Sequence, residues 1–327
     1  MDFFEFIGIV TVAYYLFYII YPWFLDCDLN LSIRETFGQP ITNLRGKVVW
    51  ITGASSGIGE HLAYALAKVN CKLILSARRL NELNRVKDNC LKASNEIQEN
   101  DIEVLVMDVS DVSKHQKLLD HVITKFGKLD ILVNNAGRSQ RAIWENIDLE
   151  VDKEMFNLNT FSIISLSRLV YKYFDKIGHG HFVVTSSIAG IMGVPFSGTY
   201  TGSKHALHGY FESLRTEKMN KNIPISMICP GPIQTPFLSQ AFTEKSGEKF
   251  GQDCDVAKNK ISGERCGHLI AVAIANKVNE CWIAHCTTLQ LTYLGKYYPN
   301  IAQTIIYLFG PQLFQRLRDN KVTVNAK

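Results

Sequence analysis

Tyr200 and Lys204 stand four residues apart in Tyr200-Thr201-Gly202-Ser203-Lys204, inside a helix-length stretch over 200–220. Residues at that spacing share one helix face, so a phenol and an ammonium point into the same cleft. A cation beside a phenol favours the phenolate and lowers its pKa. Moving it from ~10 to ~7 takes about 4 kcal/mol, a load for Lys204 and a second, bound cation together. Such a pair can pass a proton to or from a reacting oxygen. Ser187 lies thirteen residues before Tyr200, just past the apolar run HFVVT, and adds a hydroxyl where strand ends present ligands.

A second feature is the glycine-rich run Thr52-Gly53-Ala54-Ser55-Ser56-Gly57-Ile58-Gly59, between an apolar run and a helix-length stretch. Gly53 permits a tight turn, Gly57 and Gly59 allow close approach to a diphosphate, and a helix N-terminus favours the phosphate charge. This is a dinucleotide cradle. Past the next apolar run, where an acidic residue would meet a ribose 2′-hydroxyl, stand Ala77, Arg78 and Arg79. Guanidinium groups suit a 2′-phosphate, so NADP(H) is expected over NAD(H), with Arg78 the main contact.

The elements that must hold these residues are legible as alternation. Apolar runs at 47–51, 72–76, 102–107, 130–134, 181–185, 225–229 and 281–284 are separated by helix-length stretches such as 58–69, 111–126, 151–176 and 200–220. The runs lack a polar face, as strands covered on both sides do. They predict an α/β fold, a doubly wound, Rossmann-like parallel sheet of seven strands in a single domain over 46–286.

With Asn134-Asn135-Ala136-Gly137 and Pro230-Gly231 also in order, the chain resembles the short-chain dehydrogenase/reductase superfamily over roughly 46–286. The resemblance implies an oxidoreductase acting on CH–OH groups. Tyr200 is then the general acid/base, and Lys204 the residue that lowers its pKa and holds the nicotinamide ribose. Ser187, rather than Ser186, binds and orients the substrate carbonyl, and Asn159 anchors a proton-relay water. Ser162 stands where the family often has glycine. Asp108 matches a position near adenine, Asn135 a cofactor contact, and Ile233 and Thr235 the segment on the nicotinamide carboxamide. Asn134 and Asn135 also read as ties between strands. SARRLNELNRVK, NNAGRSQRA and CWIA…LTYLGKYYP resemble a membrane-associated branch. That branch implies a microsomal NADP(H)-linked enzyme for carbonyls or alcohols of retinoid- or steroid-like molecules. The rival readings are an NAD-linked alcohol dehydrogenase working oxidatively and a non-catalytic NADP(H) sensor or scaffold.

The flanks are different material. Phe6 to Leu25 is twenty residues without a charge, a helix of ~30 Å, and residues 1–25 are expected as an uncleaved single-pass transmembrane anchor. With the microsomal character that the resemblance implies, the expected location is the endoplasmic reticulum membrane. Arg34, Arg45 and Lys47 favour a cytosolic main domain, with the lumenal side left open. Residues 26–45 are expected as a polar connector. Residues 236–265 stand where the resemblance implies a substrate-covering loop, which Phe237, Phe242 and Phe250 would make apolar. Residues 287–327 form an apolar extension interrupted by Pro299, Gly310 and Pro311. It is read equally as core packing, a homodimer face, or a membrane-dipping wall of the substrate pocket.

The 327 residues are 46% hydrophobic and 20% charged, which excludes a disordered chain. A net charge of +4 without a basic stripe excludes nucleic acid as a partner. The eight cysteines show no CxxC pair and the histidines no paired spacing, so no metal is expected and the thiols read as buried and reduced.

Overall fold

The computed structural model of the chain describes residues 2–251 and 260–319. Its first helix, α1 (Phe3–Ile20), is followed by a single tighter turn over Tyr21–Phe24, where Pro22 withholds an amide from further helix. The expected anchor is thus eighteen helical residues, about 27 Å at 1.5 Å per residue. Among the described residues no helix is long and apolar enough to cross a membrane. The side chains at 17–19, 21 and 22, within the expected span, lie outside the described residues. Those of α1 that are described, Phe6, Ile9 and Val12 among them, are exposed all round.

The expected connector, residues 26–45, is largely helical. They form α2 (Leu29–Phe37) and a short turn over Ile41–Leu44. Asp28 caps α2 by accepting from the Leu31 amide at 3.1 Å, and Leu31 is buried. Only one face of this helix needs to be apolar, which is why its sequence reads as polar.

The sheet follows. In chain order come β1 (Val48–Thr52), α3 (Gly57–Ala67), β2 (Lys72–Ala77), α4 (Leu80–Ala93), β3 (Ile102–Val106), α5 (His115–Phe126) and β4 (Ile131–Asn134). Then come α6 (Leu149–Phe156), α7 (Ser162–Ile177), β5 (His181–Thr185), α8 (Gly198–Glu217) and β6 (Ile225–Pro230). A two-residue pair, β7 (Ile233–Gln234) with β8 (Ile261–Ser262), precedes α9 (Gly263–Ala275), β9 (Glu280–Ile283), α10 (Cys286–Tyr297) and α11 (Pro299–Asp319). All seven expected strands pair in parallel, in the order β3-β2-β1-β4-β5-β6-β9. Alternate residues serve opposite faces: Val49 and Ile51 of β1 pack with α3 and α9, Val48 and Trp50 with α5, α7 and α8. That double cover explains why the strands read as continuous apolar runs.

The expected helix over 151–176 is real but interrupted. Between α6 and α7, over Asn157–Phe161, the Ser162 amide donates to the Asn157 carbonyl, a π turn. Pro299 opens α11, and Gly310, at φ 71 and ψ 167, kinks it. The seven described cysteines are free thiols; Cys254 lies outside the described residues.

Candidate active site

In this sheet the strand order turns at the β1/β4 boundary, and the loops leaving the two strands diverge above their C-terminal ends. One cavity of about 780 Å³ occupies that crevice. Of the expected site residues, Gly53, Ser55, Ser56, Gly57, Ile58, Arg78, Asp108, Asn135, Ser187, Tyr200, Lys204, Ile233 and Thr235 line it. Gly59 and Asn159 are not on its wall.

The cradle is built by backbone constraint. Gly53 sits at φ +69, and a Cβ there would stand 2.8 Å from the Ala136 Cα. Gly59 is needed for packing: a Cβ would lie 2.5 Å from the Gly53 carbonyl oxygen and 2.6 Å from Asn135 Nδ2. That spacing lets the start of α3 approach the turn closely. Asn135 Nδ2 donates to the Thr52 and Gly53 carbonyls at 3.1 and 3.3 Å, which ties the β4 loop to the cradle. Asn134 Nδ2 reaches Ser167 Oγ at 2.9 Å. Asn135 thus ties β4 to β1, whereas Asn134 is tied to α7.

Three guanidiniums gather here where one was expected to lead. Arg79 donates to the Ser55 and Ser56 hydroxyls at 3.3 and 3.2 Å, so it lies across the cradle beside Arg78. Arg138 Nε donates to the Gln240 carbonyl at 2.6 Å, and its guanidinium stacks over the Phe242 ring. Its Nη2 is buried without a hydrogen-bond partner among the described residues, and burial together with the Arg78 cation pushes its pKa down. Phe242 is thus part of the core beneath Arg138, whereas Phe237 lines the cavity, edge-on to Tyr200 at 6.4 Å.

On the catalytic side, Tyr200 and Lys204 share one face of α8 as expected. Lys204 is buried, and its Nζ donates to the Thr185 carbonyl at 2.8 Å. Burial pulls its pKa down to about 8. Burial pushes the Tyr200 phenol up, opposed by a hydrogen bond from Ser187 and by the Arg141 and Arg318 cations. The expected depression by Lys204 is therefore not a property of the protein alone, since the loss of water outweighs the nearby positive charge. Ser187 Oγ accepts from the Ala189 amide at 3.1 Å and donates to the Pro230 carbonyl at 3.3 Å, while Ser186 Oγ turns away to His208 Nε2 at 3.0 Å.

Asn159 lies in the π turn, fully buried. Its Oδ1 accepts from the Arg138 amide at 2.9 Å, and its Nδ2 donates to the Arg138 carbonyl at 2.9 Å and to Ser203 Oγ at 3.2 Å. Its polar atoms hold the β4 loop to α8. Ser162 fits because its hydroxyl donates to the Leu158 carbonyl at 2.7 Å.

Several lining residues carry no sequence signal. Arg138 and Arg141 follow the NNAG turn without a spacing rule, and Arg318 and Asp319 arrive from the end of α11. Met192, Val194, Pro195 and Leu291 make this end of the cavity apolar.

The donor set fits a nicotinamide dinucleotide. The buried Lys204 ammonium has three N–H groups and, among the described residues, one hydrogen-bond partner, so it offers donors to ribose hydroxyls. The orphaned Arg138 Nη2 beside Arg78 calls for an anion.

Comparison with known proteins agrees. Residues 47–246 match the short chain dehydrogenase family. Over 297 residues the chain is 40% identical to mouse dehydrogenase/reductase SDR family member 7, covering 90% of this chain and 87% of that protein. It is 39% identical over 295 residues to the human protein of that name, covering 90% and 86%. Among solved structures, a short chain dehydrogenase/reductase from Burkholderia phymatum in complex with NAD superposes with a TM-score of 0.68, at 23% identity over 82% of this chain and 97% of that one. An alcohol dehydrogenase from Thermococcus sibiricus complexed with 5-hydroxy-NADP gives 0.63, at 23% identity over 74% and 97%. These structures share the fold. From the family match and the similarity to the mouse and human proteins, the chain belongs to the short-chain dehydrogenase/reductase family of oxidoreductases.

Proposed function

We propose that the chain is a membrane-associated, NADP(H)-dependent oxidoreductase that interconverts carbonyl and hydroxyl groups of lipophilic, retinoid- or steroid-like molecules. The observation that carries this reading is the pairing of the Tyr200 and Ser187 hydroxyls above buried Lys204, on a cavity that is basic at one end and apolar at the other. When bound, the nicotinamide supplies or accepts the hydride. Ser187 and Tyr200 donate hydrogen bonds to the substrate oxygen as charge develops on it. Tyr200 gives its proton in reduction, and its burial keeps it protonated until then. Lys204 is placed to hold the ribose and to favour the phenolate that remains. Asn159 keeps Arg138 and Ser203 in register around them.

Preference for NADP(H) is supported by neutral Ala77 and by Arg78, Arg79 and Arg138, which need an anion between them. Membrane attachment is supported by the exposure of α1, the anchor expected from the sequence. The Tyr21–Phe24 turn packs on α10, and α10 and α11 expose Tyr297, Ile301, Tyr307, Leu308 and Phe309 while walling the cavity. A lipophilic substrate suits that neighbourhood. The endoplasmic reticulum membrane follows from the branch that the sequence resembles.

The test is cofactor oxidation by the full-length protein in detergent, with NADPH and NADH, against lipophilic ketones and aldehydes. We expect turnover with NADPH, and Tyr200→Phe should lower it by ~10²-fold or more while cofactor binding persists. Faster turnover with NADH, chiefly in the alcohol direction, would establish the NAD-linked alternative. Cofactor binding without turnover on any substrate would establish a sensor. Release of the full-length chain by alkaline carbonate would reject the anchor.

A further inference from the structure

We infer that the end of α11 is part of the substrate site, and that Asp319 is the positioning residue that seats the Arg141 and Arg318 guanidiniums against the cavity beside Tyr200. Arg141 grips Asp319 in a fork, Nε at 2.9 Å and Nη2 at 2.6 Å on its two oxygens. The remaining Arg141 nitrogen donates to the Gln140 carbonyl at 2.6 Å and to Ser139 Oγ at 3.0 Å. Arg318 holds the same carboxylate from the neighbouring position, with Nη2 at 3.0 Å, and its Nη1 donates to the Pro195 carbonyl at 2.9 Å and Ser197 Oγ at 3.0 Å. Three chain segments are thereby pinned together: the loop after β4, the loop leading into α8, and the last turn of α11.

The cluster is taken out of water. The Asp319 side chain is 1% exposed and the Arg141 side chain 7%. Burying charge is costly, and an apolar contact of similar size would hold a helix at least as well. What an apolar contact would lack is a charge on the wall shared with Ser187 and Tyr200, and Arg141, Arg318 and Asp319 all line that cavity. The groups that bear on Tyr200 are Lys204 on its own helix, Ser187 after β5, Cys229 on β6, Arg141 and Arg318. Both guanidiniums favour the phenolate, with Asp319 as their counter-ion. The C-terminal helix therefore completes the substrate wall and tunes the proton donor together.

This inference rests on Tyr200 as the acid–base group. Its test uses the full-length protein, a lipophilic ketone and NADPH, and reads KM, kcat, the pH profile of kcat, and NADPH affinity. Asp319→Asn removes the counter-ion; KM for the ketone should rise about tenfold and the profile move to lower pH by about half a unit, with NADPH affinity unchanged. Arg318→Met removes one cation and leaves the Arg141–Asp319 fork, so the profile should move the opposite way. Asp319→Glu should recover most of the KM. Unchanged KM and pH profiles in both variants would overturn the inference, whatever happened to thermal stability. If Asp319→Asn fails to fold, judged by lost NADPH binding, the pH shift of Arg318→Met decides. Wild-type turnover in Tyr200→Phe would instead bring down the reading underneath.

Discussion

The two ends of the cavity are built on opposite principles. The cofactor end is made of short turns that leave consecutive strands, residues 53–58, 77–79, 107–109 and 135–138, each within a few positions of a strand of the parallel sheet. The substrate end collects residues 141, 187–197, 237–240, 288–292 and 318–319, from five stretches that share no local pattern. The first is a property of the sheet, fixed wherever the strands pair. The second exists only after distant segments dock, and an ion cluster joining residues 178 positions apart holds it shut. Changes at the first end should therefore be felt as lost binding or chemistry, and changes at the second as altered substrate handling.

The sharpest test of that division is Lys204, which stands where the two ends meet. Lys204→Met should cut turnover by ~10²-fold or more and weaken NADP(H) as well, seen in steady-state kinetics and cofactor titration. Loss of one effect without the other would place Lys204 on one side only. Arg78→Ala should confine its damage to the cofactor end. It should weaken NADPH by roughly 1.5–3 kcal/mol, with little change for NADH and none in substrate KM. Equal losses for both cofactors would show that Arg78 does not read a 2′-phosphate.

A smaller effect concerns pH. Burial lowers Lys204 to about 8, against ~10.4 in an unfolded chain, so between those values the unfolded state binds more protons. The Lys204 contribution to stability should rise with pH through that window, measured as the wild-type melt minus that of Lys204→Met without added cofactor. The subtraction matters because buried thiols such as Cys71 and Cys90, pushed up to about 12, oppose it above pH ~9. A difference that falls with pH would contradict the burial of the ammonium. The smallest effect belongs to the substrate end. Gly310→Ala has open space for its methyl but meets a backbone at φ 71 and ψ 167 that suits glycine almost alone. It should cost about 1 kcal/mol, enough to raise ketone KM severalfold by unseating the last turns of α11, with NADPH affinity intact.

The asymmetry also explains what was legible. Thr52–Gly59, Ser187, Tyr200 and Lys204 announce themselves because a tight turn demands glycine and one helix face demands a four-residue interval. The strands were readable because the central ones are buried on both faces and even the edge strand β3 keeps an apolar run. The helix within residues 26–45 went unread because α2 buries a single stripe around Leu31 and presents the rest to water. The Phe6–Leu25 run showed its hydrophobicity, while its helix spans eighteen residues, Phe3–Ile20. Asn159 was found by its place in the chain, yet its bonds to Arg138 and Ser203 depend on a π turn that periodicity does not show. Arg141, Arg318 and Asp319 were invisible for a simpler reason: their meaning is in a contact, and neither end of the contact carries a motif.

The docking of residues 26–44 has a consequence for how the protein is made. Asp28 shares two hydrogen bonds with the backbone of Trp282, 254 residues away, and Arg265 forks onto both Asp26 and Glu35. The partners of the first folded helix after α1 are thus among the last strand and helix to leave the ribosome. Until they emerge, α2 has nothing to pack against and β6 presents a bare edge, a template for pairing with another chain. Sheet closure is therefore a late, long-range event, slow in the way that non-local pairing is slow. A chain stalled before residue 280 would lack β9 and leave that edge bare, and be the species most in need of a chaperone.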